Sequence, residues 1–126
     1  MNMMAWVLQI VLAVAFLLHG LLFTVAYGPV AKRAEARGRA PSSMSPALRQ
    51  FIGVAELAAA VGLLLPPAVH ILPWLAPLAA AGLVVVMVGA AIFHARKSEF
   101  TETAVTVFLG GLAAVAVFLR WQVVPL

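Results

Sequence analysis

The sequence predicts an all-α membrane protein: a bundle of four transmembrane helices, up-and-down and antiparallel, in one domain over residues 1–126. Three observations predict it. The chain is 65% hydrophobic and only 10% charged over 126 residues, more apolar surface than a soluble domain of that size can hide. The apolar residues fall into four blocks of about 20, each long enough to cross a hydrocarbon core of about 30 Å. Every backbone group in such a block must be bonded within its own segment, so the blocks are helices.

The first block, about 5–27, opens on "MNMMAWVLQIVLAVAFLLHG". It lacks a basic leader and its apolar run is longer than that of a signal peptide, so it is expected to remain as a helix. Gly28-Pro29 is its expected stop. The second block, about 46–65, starts at Ser45-Pro46, an N-cap followed by proline at the first helical position. Pro66-Pro67 is its expected end. The third, about 74–94, follows Pro73. The fourth, about 99–123, has Glu99 and Glu102 in place to meet the positive end of the helix dipole. Trp6, Trp74 and Trp121 fall near the ends of spans, as an aromatic belt requires. His70 reads as a loop residue, and Met87 and Phe93 as bundle core.

Two segments on one side, 32–49 and 95–98, carry Lys32, Arg33, Arg37, Arg39, Arg49, Arg96 and Lys97, seven of the eight basic side chains. The positive-inside rule then puts these loops in the cytoplasm and both termini outside, the inner membrane of a bacterium being the expected setting. Arg120 is the exception, expected to snorkel from the last helix. Residues 30–40 read chiefly as a solvated loop, a short basic surface helix on anionic lipid being the alternative. With basic residues confined to short loops, nucleic-acid binding is excluded. The absence of cysteine excludes a disulfide, a thiol redox pair and a cysteine-bound metal, and no metal site is expected.

The stretch "FIGVAELAAAVGLLLPP" places Glu56 roughly 15 Å along its helix from Pro46, near the midplane. A charged carboxylate there costs at least about 2.5–3.5 kcal/mol, so it must be neutralised, paired or turned to water. His19 stands at a comparable depth on the first helix. Arg49 lies two turns away on the face of Glu56 itself, and His94 at the end of the third helix would complete a cluster. Gly53, Gly62, Gly82, Gly89, Gly110 and Gly111 are expected to let helices approach closely. Glu56, His19, Arg49 and His94 are thus candidates for binding a ligand or titrating a proton. Interhelical bonding with no other role is an equal reading.

"RQFIGVAELAAAVGLLLP" followed by "LAPLAAAGLVVVMVGAAIFHARKSEF" is similar to the DoxX-like family of small four-helix membrane proteins. The residues that carry the resemblance are Arg49, Gly53, Glu56, Gly62, Pro66, Pro77, Ala79, Gly82, Met87, Ala90, His94 and Arg96, with Gly20 and Lys32 matching more loosely. His19 is not carried by it. The resemblance implies a quinone as the ligand to consider, or a place as membrane partner of a redox enzyme, and an accessory rather than catalytic role. Partners left open are the lipid bilayer, a small lipophilic ligand, a second copy and a redox enzyme. The alternatives are a structural or chaperone-like subunit and a proton-coupled small exporter. The exporter would carry its glutamate in the first helix, where this chain has only His19. Haem b between His19 and His94 fits poorly, the two being a turn or two apart in depth. No nucleophilic triad, P-loop or paired-carboxylate site is visible.

Overall fold

A computed structural model describes residues 2–38 and 44–123. Arg39, expected in the first basic loop, lies outside the described residues. Four long helices form the bundle: α1 (Asn2–Thr24), α3 (Pro46–Ala68), α4 (Leu75–Arg96) and α5 (Phe100–Phe118), the last continued by a π-helical turn over Leu119–Val123. All four, counting α5 with its π turn, are long and apolar enough to span a bilayer, so the chain is an integral membrane protein. They pack antiparallel in sequence order, α1 on α3, α3 on α4, α4 on α5, and α5 closes back on α1 through a narrower contact.

The core is a thin seam. Leu12, Ala13, Phe16, Ala60, Leu63, Ala80, Leu83, Met87, Ala113 and Ala116 are buried against one another. Ile10, Val14, Leu18, Val54, Val61, Val85, Val88 and Phe108 point outward. That would destabilise a soluble protein, but in a bilayer the outer face meets acyl chains as apolar as itself.

Helix ends show where local chemistry departs from the sequence expectation. Ser45 caps α3, its Oγ accepting from the Leu48 amide at 3.2 Å. α1 stops at Thr24, before Gly28-Pro29, and a separate ten-residue helix α2 covers Tyr27–Ala36. Gly28 and Pro29 therefore start a helix instead of stopping one. In a first turn the amide that proline lacks has no intrahelical acceptor to lose. The described part of the 30–40 stretch is accordingly helical as far as Ala36. Tyr27, Ala31 and Ala34 are half-buried on one face, while Lys32 and Arg33 are exposed on the other.

Pro66 and Pro67 do not end α3, which runs on to Ala68. Pro67 does withhold the N–H that would have bonded the Leu63 carbonyl one turn back. That carbonyl receives the Gln9 amide of α1 instead, Nε2 donating at 2.6 Å.

Small residues set the closest approach, between α1 and α3. A Cβ on Gly20 would stand 2.9 Å from the Gly53 carbonyl oxygen, and one on Gly53 would stand 2.7 Å from Cγ2 of Thr24. Gly62 against Ala79 and Gly110 against Met87 are tight at 3.1 Å. Gly82, Gly89 and Gly111, expected at helix contacts, face open space.

Candidate functional site: a buried acid–imidazole pair

Glu56 is on the buried stripe of α3 with Gly53, Ala60, Leu63 and Pro67. Its side chain is wholly buried, and its Oε2 lies 2.6 Å from Nδ1 of His19, whose side chain is 44% exposed. The glycine contact explains how the two meet. Gly20 follows His19 and Gly53 precedes Glu56 by one turn, so the backbones draw close where these short polar arms must touch. The other carboxylate oxygen, Oε1, is buried without a hydrogen-bond partner. Nε2 of His19 likewise has no partner among the described residues. A buried acid oxygen left unbonded costs roughly 1–3 kcal/mol. The pair thus has unused hydrogen-bonding capacity on both members.

Arg49 and His94 do not join it. Arg49 donates through Nη1 to the Phe23 carbonyl, an orphan acceptor in the last turn of α1, and its guanidinium lies 4.0 Å from the centre of the Tyr27 ring. A cation at a helix C-terminus is well placed electrostatically, which is why Arg49 bonds there and leaves Glu56 to His19. His94 sits at the α4–α5 turn, with Nδ1 3.4 Å from Oε1 of Glu99. The expected single cluster is therefore two separate histidine–glutamate contacts and a helix-capping arginine. An aromatic column joins the buried pair to the surface: His19 and Phe23 have ring centres 4.3 Å apart, Phe23 and Tyr27 6.3 Å. Because α1 ends at Thr24, His19 is about 7.5 Å from its helix end, shallower than counting from Tyr27 suggests.

A second polar layer lies toward the other end and was missed in the sequence. Arg120, expected to snorkel, is instead buried. Its Nε donates to Oε1 of Gln9, its Nη1 donates to Oδ1 of Asn2 at 2.8 Å, and its guanidinium lies over the Trp6 ring at 5.2 Å. With the Gln9–Leu63 bond, the layer ties α1, α3 and the π turn together. The signal that could have found it was a lone glutamine in an apolar helix, level with a carbonyl that a proline must leave unbonded. An apolar groove of about 420 Å³ between α1 and α3, lined by Ala13, Leu17, Ala60 and Leu64 among others, includes neither Glu56 nor His19. Among the described residues no group of acidic and histidine side chains is arranged to hold a metal ion.

These features define a small integral membrane protein: a four-helix bundle with a buried acid–imidazole pair inside it. The chain belongs to the DoxX-like family, whose sequence profile matches residues 7–117. No curated protein and no solved structure matches it.

Proposed function

We propose that the Glu56–His19 pair is a binding site for the polar head of a small lipophilic ligand, and that the protein acts as a ligand-holding or accessory subunit beside a membrane redox enzyme. The observation that carries this reading is the unpartnered Oε1 of Glu56, wholly buried, beside an imidazole with a free nitrogen. Buried polar groups in native proteins are nearly always bonded. A buried carboxylate oxygen left unbonded, beside the partly exposed imidazole of His19, calls for a partner from outside the chain.

A quinone suits the donor set. Its carbonyl oxygen accepts a hydrogen bond, and a protonated Glu56 or the Nε2–H tautomer of His19 can supply one. When bound, a quinone contributes electron and proton transfer at its carbonyl oxygens. The chain's own part is to hold the head group beside a group that can bind or release a proton. Orientation belongs to the same reading, with the basic loops in the cytoplasm.

The test is native mass spectrometry with organic extraction of the purified protein. A co-purifying quinone or lipid, lost in Glu56→Ala and His19→Ala but retained in Glu99→Ala, is the expected result. Glu56→Ala retaining the same molecule in the same amount would reject the site. The second reading, interhelical bonding alone, is favoured by the position of the pair at the Gly20–Gly53 contact. It predicts that nothing specific co-purifies.

A further inference from the structure

The two ends of the bundle are packed differently. At the end where α3 turns into α4, burial reaches the last turns: Ala5 on α1, Pro67 on α3, Ala76 on α4 and Arg120 on the π turn. At the basic end it stops short. On α1 nothing is buried after Gly20, and on α3 nothing before Gly53. On α4 nothing is buried after Met87, and no residue of α5 from Phe100 to Leu112 is buried. Glu56 lies at the boundary between these zones, and the partly exposed His19 is its link to the open one. Toward the tight end, seven residues along α3 from Glu56, the Leu63 carbonyl is taken by Gln9, which is in turn held by Arg120. That layer links α1, α3 and the π turn through a buried, hydrogen-bonded cation, a charge of the kind that excludes protons and cations from pores. The remaining charged or titratable groups on the packed helices are Tyr27, Lys32, Arg33 and Glu35 of α2, Arg49 of α3, His94 and Arg96 of α4 and Glu102 of α5, with Glu99 at the N-cap of α5, all at the basic end.

We propose that the Glu56–His19 pair is reached only from the basic end of the bundle, by protons, water or the polar head of a ligand, and that the Gln9–Arg120–Leu63 layer seals it from the opposite end. One-sided access means that any proton taken up or released by the pair is drawn from, and returned to, a single compartment. This deepens the reading of the pair as a ligand site and rests on it, yet access can be measured with no ligand present, so either claim can fail without the other.

The absence of cysteine makes the experiment direct. Single-cysteine variants His19→Cys and Ile52→Cys, the second leaving the pair intact one turn nearer the basic end, are placed in proteoliposomes. A cationic, membrane-impermeant methanethiosulfonate is added to one side at a time. Ala36→Cys and His70→Cys report orientation as controls for the two ends. Both test positions should label at least tenfold faster from the basic end. Equal labelling from the two sides, or none from either, overturns one-sided access. Adding Gln9→Ala to His19→Cys should raise labelling from the opposite end at least fivefold. An unchanged rate overturns the assignment of the seal.

Discussion

Unequal burial of the two partners decides what substitution of each does. Glu56 is enclosed, so Glu56→Ala leaves the His19 Nδ1 without its acid and opens a void. We expect a loss of roughly 1–3 kcal/mol. Alanine at Glu35, Glu99 or Glu102 should change stability by under about 0.5 kcal/mol, since these side chains lie at the basic end and are not enclosed. Thermal unfolding in detergent ranks the four, and equal shifts would show that Glu56 is not engaged. Glu56→Gln keeps the shape and can still bond Nδ1, so it should stay within about 0.5 kcal/mol of the parent chain while losing any ligand that needs the acid proton. A Gln variant as unstable as the Ala variant would point to an ionised pair. At this scale Glu56 was legible as one acid in an apolar run, and His19 by matched depth. Arg49 and His94 bond other partners than Glu56, which depth along a helix does not reveal. For Arg49 that partner is a backbone carbonyl of another helix.

Helix contacts depend on which glycines touch something, and spacing alone did not sort them. Gly20 and Gly53 meet backbone to backbone, whereas Gly82, Gly89 and Gly111 face open space. Gly53→Val should therefore push α1 from α3, lowering stability by about 1–3 kcal/mol and weakening the His19–Glu56 bond. Gly82→Ala should be within about 0.5 kcal/mol of neutral. Chemical denaturation of both variants in the same detergent checks the contrast, and similar losses would refute it. The spans were legible from length and hydropathy because the bilayer demands both. The short helix α2 was not, because Gly28-Pro29 is equally good as the end of one helix or the first turn of the next. Tyr27, which opens α2, packs under Arg49 of α3, a contact that local sequence does not reveal.

For the molecule as a whole, the basic residues gather at one end and the sealing layer at the other. Reporter fusions at Leu126 and within the loop between α2 and α3 should place the two on opposite sides, the loop in the cytoplasm. A C-terminal reporter active only in the cytoplasm would invert this orientation and leave the bundle unchanged. The bond between Arg120 and Gln9 joins side chains 111 positions apart, the first helix to the final turn of the last. Helices leave the ribosome in order, so Gln9 waits in the membrane through the synthesis of every other span. Its carbonyl group finds its cation only when the closing turn arrives. A chain cut after Phe118 would keep all four long helices yet lack the residue that closes this polar layer onto the first.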